Sequence, residues 1–273
     1  MNKLVLTIFL MTSLWSVAAA EKDRLDQILQ SPHRSEAHKA RDQYRHPKQT
    51  LEFFDVKPYM TVVEIWPGAG WYTEILAPYL QAEGILYAAH FSEDSSVPYF
   101  KKSLAKFKQK LASEPKIYGQ VKVTVLNPPE QLAIAPEGSV DRVLTFRNVH
   151  NWMKAGTAKQ VFAAMFKALR PGGLLGVVEH RANPETAVDP QAKSGYVHEQ
   201  TVIAFAKQAG FELLDKSEIN RNPKDSAQHP KGVWTLPPSL RLGDQDKEKY
   251  QKIGESDRMT LKFIKPFNKQ RAL

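Results

Sequence analysis

From Thr61 to Ile264 the chain alternates short apolar runs with longer stretches whose apolar residues recur every three or four positions. That rhythm predicts strands of a parallel sheet joined by covering helices. Seven strands are expected, at Thr61–Ile65, Gly84–Ala89, Val121–Leu126, Val140–Phe146, Leu174–Val178, Phe211–Leu214 and Arg258–Ile264. The fifth, Leu-Leu-Gly-Val-Val, is apolar on both faces, as a strand covered on two sides must be. Helices are expected over Tyr72–Leu80, Tyr99–Leu111, Ala155–Leu169 and Glu199–Ala209, the third stopped by Arg170-Pro171-Gly172-Gly173 and the fourth by Gly210. A stretch of residues 220–255 rich in proline reads as a long irregular loop, of the kind that is usually functional or unstructured. The fold class is therefore α/β, a doubly wound, mostly parallel seven-stranded sheet.

Upstream of this rhythm the pattern changes twice. Residues 1–20 carry Lys3, an apolar run from Leu4 to Leu10 continuing through Leu14, Trp15 and Val17, and then Ala18-Ala19-Ala20. This is the three-part pattern of a cleavable signal peptide, with Glu21 as the expected first mature residue, so a periplasmic or secreted protein without stable membrane insertion is expected. Residues 21–59 are polar and broken by Pro32 and Pro47, and read as a helical extension lying across the domain of residues 60–273.

The chain of 273 residues has no cysteine, which excludes disulfides, thiolate metal sites and a cysteine nucleophile. Its formal charge of +9 would suit nucleic acid, but the basic residues are scattered. The densest group, Lys101 to Lys110, falls on a predicted helix face with no accompanying nucleic-acid motif, so a small-molecule partner is expected instead. Neither a G-x-S-x-G elbow nor a P-loop is present, which argues against serine-hydrolase and nucleotide-phosphate chemistry. His90, His150, His180 and His198 fall near predicted strand ends without close ligand spacing, and no metal is expected.

The candidate chemistry gathers at the ends of those strands. Gly68-Ala69-Gly70 follows the first strand and opens its helix, a turn that lets backbone approach a ligand beside the helix N-terminus, with Glu64 near the strand end. Arg147, Asn148, His150 and Trp152 follow the fourth strand, where a histidine with a nearby asparagine suits proton abstraction. Glu179-His180 and Tyr196-Val197-His198-Glu199 point to the same rim, and either group offers an alternative base.

The run Glu64-Ile65-Trp66-Pro67-Gly68-Ala69-Gly70 resembles the first motif of the class I S-adenosylmethionine-dependent methyltransferases, and Arg170-Pro171-Gly172-Gly173 resembles their turn before strand five. Three phrases, Trp66–Glu74, Arg147–Trp152 and Gly254–Phe263, resemble an exported bacterial subgroup known mainly as predicted methyltransferases. The resemblance implies a Rossmann-like class I methyltransferase fold with S-adenosylmethionine across the carboxyl ends of strands one to four. It implies cofactor contacts at Glu64, Trp66, Gly68, Ala69, Gly70, Tyr72, His90, Asn127 and Arg147, and catalytic roles among His150, Asn148, Tyr196 and His198. The implied activity is methyl transfer to a small-molecule acceptor. The alternative is an exported binding protein that keeps the fold without catalysis.

Two departures stand out. Trp66 replaces the first glycine of the usual motif, and the second strand ends in Ala89-His90 where the family has an acidic residue for the ribose hydroxyls. An imidazole cannot accept two hydrogen bonds as a carboxylate does, and Glu93 or Asp94, a few residues on, is the substitute the sequence offers.

Overall fold

The computed structural model describes residues 24–267; the signal-peptide pattern of residues 1–20 lies outside them. The seven strands are β1 Thr61–Ile65, β2 Ile85–His90, β3 Lys122–Val125, β4 Val140–Phe146, β5 Leu169–His180, β6 Glu212–Ser217 and β7 Arg258–Ile264. They form one sheet in the order β3-β2-β1-β4-β5-β7-β6. Pairing is parallel from β3 through to β5, and β7 runs antiparallel between β5 and β6. This is the expected doubly wound, mostly parallel sheet. Its strand order reverses between β1 and β4, which opens a crevice at their carboxyl ends.

Successive strand residues serve opposite faces. Val63, Ile65, Val143, Leu175 and Val177 join one core, together with α8 Val149–Lys154, α9 Ala158–Ala168 and α10 Glu199–Gln208. Val62, Leu86, Leu144, Phe146 and Val178 join the other, under α5 Thr73–Leu80. A long basic helix, α6 Pro98–Ser113, follows β2, and the short α7 Pro115–Tyr118 leads into β3.

The extension consists of a helix over residues 24–30 (α1), α2 Glu36–Lys39, α3 Asp42–Arg45 and α4 Pro47–Phe53. It is part of the second core: Leu25, Ile28, Leu29, Leu51 and Phe54 pack in the same cluster as Val62 and Leu144. Polar ties fix it as well, since Arg142 Nε donates to Phe54 O at 2.8 Å and Asn220 Nδ2 donates to Thr50 Oγ1 at 3.1 Å.

Some elements differ from their sequence expectation. The helix expected over Ala155–Leu169 is α9, which begins only at Ala158 because Gly156 turns left-handed at φ 71°, and an unexpected short helix, α8, precedes it. His150 therefore lies on a helix. Strand β5 begins at Leu169, so Arg170-Pro171-Gly172-Gly173 belongs to the strand and does not merely precede it. The long loop of residues 220–255 holds a 3-10 turn at Gly232–Thr235 and α11 Lys247–Ile253. Among the described residues no helix is long and apolar enough to cross a membrane.

Gly176 in β5 shows how closely the extension is seated, because a Cβ there would lie 2.7 Å from the Phe54 ring. The substitution Gly176→Val is expected to destabilise the fold by about 1–3 kcal/mol through overpacking. Limited proteolysis should then cut first within residues 24–57, and an unchanged urea midpoint would refute this docking.

Candidate functional site

The carboxyl edge of the sheet is shaped by two residues that follow strands in left-handed backbone, Trp66 after β1 at φ 45° and Arg147 after β4 at φ 62°. Each first extends the ladder by one hydrogen bond: Trp66 N donates to Ala89 O at 2.8 Å and Arg147 N to Val178 O at 2.7 Å. The left-handed turn costs a bulky residue roughly 1–2 kcal/mol, which the surroundings of the Trp66 side chain offset.

Trp66 is held by burial. Its indole N–H donates to Leu126 O at 3.0 Å, which carries the ring from β1 past β2 to the end of β3. Phe91, Phe100 and Trp152 lie around it at centroid distances of 4.7, 5.7 and 5.8 Å. Phe91 stacks on Phe100 of α6 at 4.0 Å. Beside this cluster, His90 is fully buried, and Phe91 N donates to its Nδ1 at 2.8 Å while its Nε2–H donates to Gly68 O at 3.0 Å. Burial drives its pKa down to about 4, against the Gly68 hydrogen bond, so the ring is neutral and both nitrogens are taken.

The glycine turn is partly covered. Helix α6 lies directly on Gly70, where a Cβ would meet Phe107 and Lys110 at 3.2 Å, whereas Gly68 faces open space and Ala69 is exposed. Glu64 is buried and accepts from Thr73 Oγ1 at 2.6 Å. Tyr72 is buried in a stack on Phe146 at 3.5 Å, and its hydroxyl donates to Arg45 O at 3.4 Å. Asn127 closes a small bridge with Gln131 and donates to Glu130 Oε2 at 3.4 Å.

A second centre sits at the ends of β4 and β5. Glu179 is fully buried, and its carboxylate accepts from His180 N at 2.8 Å, His150 N at 3.2 Å and the His150 Nδ1–H at 3.1 Å. The Nδ1 atom of His180 lies 2.6 Å from Ser256 Oγ. The two rings are 5.4 Å apart, with Trp234 at 6.1 Å from His150 and Tyr196 at 6.2 Å from His180. Glu179 takes the His150 Nδ1–H and so leaves its Nε2 as a proton acceptor, the arrangement of an oriented base.

Of the other expected catalytic residues, Asn148 is spent on the fold: its Nδ2 donates to Ile65 O at 2.9 Å and Thr145 Oγ1 at 3.2 Å. Tyr196 walls the histidine pair while donating to both oxygens of Asp225, at 3.1 and 3.0 Å. His198 lies further along, 3.4 Å from Thr186 Oγ1.

His150, Glu179 and His180 also offer three potential metal ligands within 4.8 Å of one another, a grouping that linear spacing does not reveal. Burial lowers the His180 pKa well below its ordinary value, reinforced by His150, Arg258, Arg147 and Arg45. An open groove of about 490 Å³, lined by Arg181, Asn183, Glu218, Arg221, Asp225 and Asp257 among others, lies outside Tyr196 and includes no residue of the glycine turn or histidine pair.

The arginines are what sequence inspection missed. Glu255 accepts from Arg41 Nε at 2.5 Å and Arg45 Nε at 3.3 Å, and pairs with Arg258 Nη2. The only sequence signal was a charged residue opening the apolar strand β7.

No family model and no curated protein matches the chain. Solved structures do. A SAM-dependent methyltransferase from Aquifex aeolicus superposes with a TM-score of 0.55 at 15% identity, covering 89% of this chain and 98% of that one. The [4+2]-cyclase SpnF gives 0.55 at 15%, covering 82% and 81%. Phosphoethanolamine N-methyltransferase 2 from Haemonchus contortus, solved with S-adenosyl-L-methionine, gives 0.55 at 14%, covering 82% and 53%. The chain thus has the class I methyltransferase fold, with N-terminal helices added.

The residues at its carboxyl edge do not fit the cofactor in that fold's usual pose. The adenosine would lie over the ends of β1 to β3, where Trp66 and Phe91 are packed, and its ribose would need an acceptor where His90 has none to spare.

Burial raises the Glu64 pKa from its ordinary 4.5 to about 7, opposed by the Thr73 hydrogen bond and Arg147. The folded chain therefore holds this proton more tightly than the unfolded one, and stability falls as pH rises from about 4.5 to about 7, by on the order of 3 kcal/mol. Glu64→Gln should flatten that slope in melting curves taken from pH 5 to 8. Parallel profiles for the two proteins would refute the assignment.

Proposed function

We propose that this chain uses the methyltransferase fold to bind a small polar molecule at the His150–Glu179–His180 centre, in place of the adenosyl cofactor. The observation that carries this reading is the Trp66 indole, bonded to Leu126 O across the seat that adenosine would need. The fold alone does not require methyl transfer: SpnF, which shares it, is a [4+2]-cyclase. Export belongs to the same reading, supported by the leader-like residues 1–20. A protein outside the cytoplasm is removed from the compartment where S-adenosylmethionine is made.

A second reading is S-adenosylmethionine-dependent methyl transfer to a small acceptor. It is favoured by the likeness to methyltransferases and by the open face of Gly68. It requires Trp66 and His90 to leave their hydrogen bonds together, exposing an aromatic cluster worth several kcal/mol of burial.

Calorimetric titration separates the two. Purified protein should give no heat with S-adenosylmethionine or S-adenosylhomocysteine up to 1 mM (roughly −4 kcal/mol of binding). Binding of either at micromolar concentration overturns the proposal and establishes the methyltransferase reading.

A further inference from the structure

Three guanidinium groups, those of Arg41, Arg45 and Arg258, meet on Glu255, and Arg147 follows β4 at the same sheet edge with its N–H on Val178 O of β5; among the described residues only Glu255 supplies the three with a shared carboxylate. Two other arginines have carboxylates of their own, although Arg34 Nε also lacks a hydrogen-bond partner. Arg34 meets both oxygens of Asp42 at 2.7 Å, and Arg181 meets both oxygens of Glu218, at 2.7 and 2.8 Å, as well as Asp257. At the sheet edge the pairing is incomplete. Arg45 and Arg258 are only 3% and 2% exposed, yet Nη1 of the first and Nε of the second have no partner. The Arg147 guanidinium has no hydrogen bond or ion pair at all among the described residues.

A buried cation without its counter-charge costs several kcal/mol, and folds rarely keep one without a use. Arg147 adds backbone strain to that cost, being left-handed at φ 62°. Burial lowers its pKa to about 10, with Arg258 adding to the shift, but leaves it charged at neutral pH. It is also the most accessible member of the inner group, half-buried where Arg45 and Arg258 are buried.

We propose that Arg147, backed by Arg258 and Arg45, is the seat of an oxyanion, and that the molecule bound at the histidine centre is a small phosphate- or carboxylate-bearing compound. This rests on the reading of the carboxyl edge as a small-molecule site. A guanidinium fork matches either oxyanion with two parallel hydrogen bonds. Arg258 pairs with His180 across β7 and β5, and Arg147 N bonds Val178 O one residue before Glu179, so an oxyanion held on these arginines leaves the rest of its molecule beside the paired rings. Glu64, buried and electrostatically coupled to Arg147, is the carboxyl nearest in influence on the β1 side.

The test uses the full chain with inorganic phosphate and succinate as probes, in buffer of low ionic strength without other oxyanions. One of the two probes should bind with Kd below 1 mM and raise the melting temperature, which also tells phosphate from carboxylate as the natural group. Arg147→Gln should weaken that binding at least tenfold. Its distinguishing signature is stability: because the variant removes an unpaired cation, its melting temperature without anion should equal or exceed that of the parent. Arg181→Gln, in the outer groove, should bind the probe as the parent does. Absence of binding by both probes overturns the proposal. So does undiminished binding by Arg147→Gln, or a lowered melting temperature of that variant in anion-free buffer, which would make Arg147 structural. Because S-adenosylmethionine binding is measured separately, failure of the anion seat leaves the preceding reading standing, and success of S-adenosylmethionine binding removes that reading without touching the phosphate result.

Discussion

A strand that gains one extra ladder hydrogen bond and then turns left-handed throws its next side chain across the sheet edge, and the carboxyl edge of this protein is organised by two such turns. After β1 the residue thrown is Trp66, and after β4 it is Arg147. The family glycine at the first position would leave that space open. An indole closes it, and the neighbouring features follow from that closure. Phe91 and Phe100 stack beside the ring, α6 comes down on Gly70, and His90 turns inward to lock the carbonyl of Gly68. The lost space is repaid by burial of aromatic area, the largest favourable term available to a few residues.

The second turn sets up the opposite environment. At Arg147 the edge is cationic, and the N-terminal extension is what makes it so, because α3 ends in Arg45 and is preceded by Arg41. Those residues meet Glu255 and Arg258 from the far end of the sequence, so the extension and the last strand close over the edge like two sides of a clasp. The same extension is stitched to α5 through Glu74, which lies 2.9 Å from His38 Nδ1 and also pairs with Lys110 of α6. Charges that look scattered along the chain are therefore gathered by the fold into two carboxylate hubs.

This distribution explains what the sequence disclosed and what it withheld. The run Leu174–Val178 of β5 was legible because both its faces are covered, which forces a continuous apolar stretch. The glycine turn was legible because Gly68 and Gly70 are positive-φ residues flanking a helix start. The site was less so. Asn148 and His150 sit two residues apart and look alike as candidates, yet one braces Ile65 O and the other faces Glu179, a distinction set by which way a short helix turns. The arginine cluster joins positions about two hundred residues apart, and no local pattern encodes such a meeting. His90 was visible as a departure, but its two hydrogen bonds inside the loop required coordinates.

The two turns also bear on ligand size. An adenosyl compound needs space at the β1–β3 half for its base and ribose, and a complement for its charged end nearer β4. This edge supplies aromatic filling in the first half and incompletely paired cations in the second. A filled apolar half disfavours a bulky adenosine, and a cationic half repels a sulfonium centre while it attracts a carboxylate. They favour a compact molecule that brings negative charge instead, since each contact it makes would replace a missing counter-ion.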